Sequence, residues 1–336
     1  MTRELLLPER HKNRDFFIPE IFDNIPIKDD MASMEHPVFS LSTKPNVQDL
    51  EYKRNGVEIF IKPTSDGLPT IFDKDILLYC GSLLMEQINK GNTPPRTLRI
   101  STHDLLIATN RTTDKDSYQR IRKALERLKG VSITTNIKTN NRTIGKGFGL
   151  IDSWECIQSS HVKRRMIRLE ITLSEWIYNS LIGKEVLTIS RDYFRLRKPL
   201  ERRIYEIARK HCGKQNDWSI KLSTLHQKTG SSSPEKKFRY FIKHINQENH
   251  LPDYFIAFNV ANDLVMFAPR MQTQFPELNY DQLNDITGDV IFKARELVSK
   301  AETGWWLLRG CDLHCRSEAT ARTHVTVLRQ CNPTSW

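Results

Sequence analysis

Gln119, Arg120, Lys123 and Arg127 are side chains that can read nucleic acid, and their spacing suits one outer face of a helix. At about 100° per residue they turn away from Tyr118, Ile121, Leu125 and Leu128, which form an apolar stripe. Arg and Lys donate to guanine edges, Gln pairs with adenine, and neighbouring cations meet phosphate oxygens. A second segment repeats the pattern, with Lys236, Arg239, Tyr240, Lys243 and Gln247 facing away from Phe238, Phe241 and Ile245. Arg239 then stands where Gln119 does, and Lys243 where Lys123 does. A major groove admits one helix, so two such helices on one chain would read two successive grooves of a duplex. The competing reading of both faces is the solvated outside of ordinary helices.

Other basic clusters fit the same chemistry less specifically. Residues 191–214 hold nine Lys and Arg, and within them Arg202, Arg203, Arg209 and Lys210 suit clamping of a phosphate backbone. The loop 138–147 is rich in Gly and Asn and carries Arg142 and Lys146, as a wing approaching phosphates or a minor groove would. Residues 161–165 form another basic turn. Surface solubility is the alternative for each cluster. If phosphates are neutralised, binding falls steeply with salt as counterions are released.

Catalytic chemistry has little support. No G-x-x-x-x-G-K-[ST] loop occurs, and residues 145–149 lie in a turn between strands. A nicking initiator would need paired histidines for a metal and a tyrosine nucleophile, yet none of the ten histidines forms His-x-His. Tyr118 and Tyr205 fall on or beside apolar stripes and read as core. Cys311 and Cys315 flank His314 but lack a second ligand pair at the usual distance, so no metal is expected. No cofactor and no catalytic residue are expected either.

Composition sets the wider limits. The chain has 336 residues, 51 Lys and Arg against 40 Asp and Glu, and a formal charge of +11. Its length suits two domains or one large one. No window approaches the roughly 20 apolar residues of a membrane span, and the first ten residues do not form a signal peptide. A cytoplasmic protein with free thiols and no membrane partner is expected.

The elements that must position these residues follow from periodicity. Asn55-Gly56 between β-forming residues predicts a hairpin over 50–62. Ile76, Leu77, Cys80, Leu84 and Ile88 predict a helix ending at Gly91. A strand at 97–100, a short helix from Leu105, a helix over 116–128 and strands at 131–137 and 148–154 follow, in the order of a winged helix. The order recurs with a helix at 196–208, a strand at 218–222, helices at 225–229 and 234–248, and a hairpin over 254–268. An offset of 120 pairs Leu105, Thr109, Tyr118, Ile121 and Leu125 with Leu225, Thr229, Phe238, Phe241 and Ile245. Between the copies, 167–172 reads as a strand and 174–182 as a helix.

Several separate segments in order resemble plasmid replication initiators of the replication initiator protein A family. They are residues 34–42, 73–77, 103–106, 124–128, 149–154 and 208–211, and the likeness spans roughly residues 8–305. The resemblance implies an α+β fold of two tandem winged-helix domains, with an extended N-terminal arm at 1–35, a first domain with its leading hairpin at 36–160 and a second domain with its connecting strand and helix at 161–270. A C-terminal helix and atypical tail fill 271–336. It also implies binding to double-stranded repeats (iterons) at a plasmid origin, opening of adjacent AT-rich DNA, and recruitment of the host initiator and helicase. A homodimer that represses its own promoter belongs to the same expectation. Residues 306–336 depart from the family's amphipathic helix, as a shifted reading frame near Trp306 would produce. A winged-helix repressor without initiator activity, or a tyrosine nickase, is the alternative.

Overall fold

Asn55 and Gly56 have φ of 49° and 77°, the pair of left-handed residues that a two-residue hairpin turn requires. They join β2 (Leu50–Arg54) to β3 (Val57–Lys62). The computed structural model describes residues 25–143, 145, 147–158 and 166–270. The expected C-terminal helix and tail at 271–336 with the 311–315 cluster, Lys146, the basic turn at 161–165 and residues 1–24 lie outside them.

The described residues form a mixed α/β fold of small antiparallel sheets and helices, in which one order of elements occurs twice. In the first unit α2 (Lys74–Asn89) leads to β4 (Thr97–Ser101), α3 (Thr102–Ala108) and α4 (Lys115–Gly130), then to β6 (Ile151–Gln158) and β7 (Met166–Leu173). In the second, α6 (Pro199–His211) leads to β9 (Trp218–Lys221), α7 (Leu222–Thr229) and α8 (Glu235–Glu248), then to β10 (Tyr254–Asn259) and β11 (Leu264–Pro269). The sheets agree as well. β7 lies between β4 and β6 as β11 lies between β9 and β10.

Local chemistry explains the boundaries. The side chain of Asp114 accepts from Ser117 N at 2.7 Å and caps α4, and Ser101 caps α3 in the same way. Pro199 opens α6, where its missing N–H costs nothing. Gly230 at φ 67° closes α7. α3 and α7 start 120 residues apart, as do α4 and α8.

The offset shifts inside the longer helices. α4 buries Ser117, Ile121, Ala124, Leu125 and Leu128, whereas α8 buries Phe238, Ile242 and Ile245 and leaves Phe241 half-buried. The buried stripes therefore align at 121. Tyr240, not Arg239, corresponds to Gln119 by burial. One position of drift turns a helix face by about 100°, which a repeat read on apolar residue type alone does not register.

The first hairpin expected after α4 is also different. β5 (Ser132–Thr135) pairs with β3, and only the bridge from Ile133 to Phe148 joins the two expected strands. β6 pairs instead with β7. The expected domain boundary at 160/161 therefore cuts a single antiparallel hairpin. The loop from Thr139 to Arg142 makes its own tight turn on Asn140 and Asn141, both at positive φ. Asn140 N–H donates to Glu185 Oε1 at 3.1 Å and Thr139 is fully buried, so this turn folds back on the protein.

The described part of the expected arm is a packed element. β1 (Lys28–Asp30) pairs with β8 (Val186–Thr188), and α1 (Met31–Glu35) packs on α6. Ile25, Ile27 and Met34 are buried in one core that includes residues from both units. α5 (Glu175–Ile182) is capped by Ser174 and runs beside α2.

A buried charge cluster closes the arrangement. Lys74 Nζ lies 2.8 Å from Asp29 Oδ2 and 2.9 Å from Glu206 Oε1, and all three side chains are excluded from solvent. Arg203 reaches Glu206 Oε2 at 3.1 Å and donates to the carbonyls of Ser33, Met34 and Lys228. Tyr193 O–H donates to Glu206 Oε1 at 2.7 Å. Burial disfavours the Glu206 carboxylate, yet Lys74 and Arg203 hold its pKa below the usual range.

His36 adds a pH dependence. Burial lowers its pKa from 6.5 to about 4, against the opposing pull of Glu35, and its Nδ1 is buried without a hydrogen-bond partner. The unfolded chain takes up a proton that the folded chain refuses, so this residue makes stability fall as pH drops from 6.5 to about 4. Urea midpoints measured at pH 7 and pH 5 should fall less for His36→Phe than for the parent chain. Parallel losses in both proteins would contradict this origin.

Candidate nucleic-acid interface

α4 and α8 each bury one side and carry polar and cationic groups on the other, which is the basis of the candidate interface. On α4, Gln119, Arg120 and Lys123 are exposed and Arg127 is half-buried. On α8, Lys236, Tyr240, Lys243 and Gln247 are all exposed and fall at helical spacings of four, three and four residues along one stripe. Tyr240 is 63% exposed, among the largest values for an apolar or aromatic side chain in the described chain. An aromatic ring in a line of Lys and Gln offers a stacking or methyl-contact surface between hydrogen-bond donors.

Two arginines of these faces are engaged within the protein. Arg127 donates twice to Asp73, with Nε and Nη2 each 2.8 Å from a carboxylate oxygen. The Asp73 hydrogen bonds raise the pKa of Arg127, so it remains charged while locked in a planar pair. Arg239 forms a corresponding fork with Asp263, including an Nη2–Oδ2 contact of 2.6 Å. Asp263 stands in the β10–β11 turn at φ 55°, so this pair ties the turn to α8.

Arg120, Lys123 and Arg127 recur at i, i+3 and i+7 and line a cleft of about 640 Å³. Lys44 and Pro45 also line it, and Arg111, Arg197 and Arg202 contribute further cations. The part of α4 turned farthest from the core is instead around Gln119, Arg122 and Lys123.

Arg202 and Arg203 correct the expected backbone clamp. Both are essentially inaccessible, at 1% and 2% exposure. Arg202 pairs with Asp75 at 2.5 Å, donates to the Leu196 carbonyl and stacks over Phe72 and Tyr193. α6 buries every residue from Glu201 to Ala208, so its charges lie in the core and not on an outer face. Arg209 is half-exposed and donates to the Thr188 carbonyl at 2.6 Å, and Lys210 is half-exposed beside Met31. Arg142 is exposed on its folded-back turn. No signal in the sequence separates Arg202 and Arg203 from surface cations except the near-continuous apolar neighbours Ile204, Tyr205, Ile207 and Ala208.

Tyr205 is core, as expected, with its hydroxyl donating to Asp253 Oδ2 and accepting from Ser190 N. Burial pushes its pKa well above the ordinary tyrosine value. Tyr118 is half-buried against the core. Cys80 and Cys212 are buried free thiols, and burial pushes Cys80 up to about 12, far from a reactive thiolate. No described helix is long and apolar enough to cross a membrane.

Comparison with known proteins places these features in a family. The family model described as Replication initiator protein A matches residues 28–256. A curated protein of Wigglesworthia glossinidia brevipalpis, provisionally named as a replication protein, is 41% identical over 273 residues, covering 80% of this chain and 98% of the relative. The crystal structure of domains 2 and 3 of RctB has a similar fold, with a TM-score of 0.50 at 12% identity over 69% of this chain and 94% of that one. A second RctB crystal structure, also of domains 2–3, gives a TM-score of 0.43 at 14% identity, over 70% and 95% of the two chains.

The contrast between core and surface cations is measurable. Arg202→Leu should cost about 3–5 kcal/mol of stability, because Asp75 loses a buried partner, whereas Lys243→Ala should stay within about 0.5 kcal/mol. Urea denaturation of both variants distinguishes them, and equal midpoints would contradict the assignment.

Proposed function

Because this chain belongs to the replication initiator protein A family, we propose that it is a non-enzymatic, sequence-specific initiator that binds double-stranded iterons at a plasmid origin. In this reading each repeated unit is a winged helix, α4 and α8 are the recognition helices, and they enter successive major grooves. The protein then helps open adjacent AT-rich DNA and recruits the host initiator and helicase, and a dimeric form represses its own promoter. The observation that carries the reading is the double occurrence of one element and sheet order, each copy with a cationic outer helix.

The assignment of residues follows exposure. On α8, Lys236, Tyr240, Lys243 and Gln247 reach bases or phosphates, while Arg239, through Asp263, holds the following strand turn in place. On α4, Gln119 and Lys123 take the base-reading role, and Arg120 lies at the edge of the contact. Arg209, Lys210 and Arg142 are left to contacts with phosphate at the margins.

Anisotropy titrations on DNA flanking the protein's own gene test this directly. Lys243→Ala should weaken binding to its target by about 1–3 kcal/mol if it meets a base edge, or lower the salt slope by about one if it meets phosphate. Gln119→Ala should relax base preference without changing the salt slope, since it carries no charge. Unchanged affinity, specificity and salt slope in both variants would contradict the recognition-helix assignment.

A further inference from the structure

The cleft beside α4 has a composition that a DNA-reading helix does not require. Arg120, Lys123 and Arg127 line one side; Lys44, Arg111, Arg197 and Arg202 complete a set of seven cationic side chains against three aspartates, Asp66, Asp73 and Asp75. Those aspartates are largely committed within the protein: Asp73 is forked by Arg127, and Asp75 is shared by Arg111 at 2.8 Å and Arg202 at 2.5 Å. The lining therefore carries an excess of four positive charges, of which Arg120 faces Asp114 at 3.7 Å just outside it.

Arg197 senses that excess. Its Nη2 donates to the Asn110 carbonyl at 2.7 Å, a neutral acceptor. Desolvation first, then the charge of Arg202 and, more weakly, that of Arg111, push its pKa below the ordinary arginine value against the opposing pull of Asp75. A bound anion would relieve this crowding. Arg120 and Lys44 are exposed at the mouth, with Arg120 steadied by Ser117 Oγ at 2.9 Å.

The cleft is also partly apolar, since Pro45, Leu68 and Phe72 line it beside the cations. Its volume of about 640 Å³ falls within the roughly 300–1,000 Å³ of small-molecule sites and suits one nucleotide. The cationic side chains match phosphates, and the apolar ones match a sugar and base. We propose that this cleft binds a free nucleoside di- or triphosphate, with the phosphates among Lys44, Arg120, Lys123 and Arg197 and the nucleoside against Pro45 and Phe72. This site shares Lys123 and Arg120 with the α4 face assigned to duplex DNA, whereas Lys44, Pro45, Phe72 and Arg197 stand outside α4.

Isothermal titration of the full chain with ATP, pyrophosphate and a twelve-residue deoxythymidine strand, at fixed ionic strength, tests the proposal. ATP should bind with a Kd of about 100 µM or tighter. Lys44→Glu, on an exposed loop, and Arg197→Gln should each weaken ATP at least tenfold with unchanged circular dichroism, and Lys44→Glu decides the matter if Arg197→Gln does not fold. Failure of ATP to bind at millimolar concentration, or affinity unchanged in Lys44→Glu, would overturn the site. Pyrophosphate binding as tightly as ATP would overturn the nucleoside contact, and binding of the strand without ATP would overturn the free nucleotide as ligand.

Discussion

Lys74 stands without solvent between Asp29 and Glu206, and its contacts hold these groups together although burial pushes the Asp29 carboxyl well above the usual range. Burying a charge costs several kcal/mol per ion, which attraction offsets only when geometry and hydrogen bonds are complete. Here Arg203 and the Tyr193 hydroxyl complete the partners of Glu206, while Asp29 Oδ1 and Arg203 Nε are buried without a hydrogen-bond partner. Arg203 then fixes the carbonyls of Ser33, Met34 and Lys228, so segments from the start of the described chain, from α2, from α6 and from α7 meet at one cluster. Moving one repeated unit away from the other would strand an unpaired ion. Such a cluster adds little net stability compared with an apolar core, but separating its members would leave buried groups without the partners they have here.

That constraint bears on function through the helices it supports. Neighbouring pairs repeat the same device nearer the surface: Asp73 with Arg127 joins α4 to the start of α2, and Asp263 with Arg239 joins α8 to the β10–β11 turn. In the proposed reading, the carboxylates convert two arginines from DNA contacts into supports that orient the exposed Lys, Gln and Tyr side chains. A helix held in this way loses less freedom on binding DNA than one whose own cations must be ordered at that moment.

Much of the architecture is legible in residue order. Asn55-Gly56, Gly230, Ser101, Asp114 and Pro199 mark turns and caps by mechanisms that act within four residues, and the elements start and stop there. Pairing between strands is less legible, because it is decided by distant partners. Residues 131–137 and 148–154 read as one hairpin, yet β3 captures β5, β7 captures β6, and Gly149 passes so close to the end of α4 that a Cβ would lie 2.6 Å from the Lys129 carbonyl oxygen. The cationic faces were visible as spacing, and Lys236, Tyr240, Lys243 and Gln247 do share an exposed stripe. Arg202 and Arg203 read as surface cations because charge type predicts surface unless a partner is known, and apart from Glu206 their partners stand more than a hundred residues away or on the backbone.

The central claim is that a single chain presents two recognition helices to one duplex. Hydroxyl-radical footprinting of the full chain on the DNA flanking its gene reads this most directly. The account predicts two protected tracts on one face, about 10 base pairs apart, with Lys243→Ala and Gln119→Ala each weakening a different tract. One tract alone, or two that weaken together whichever helix is altered, would contradict it.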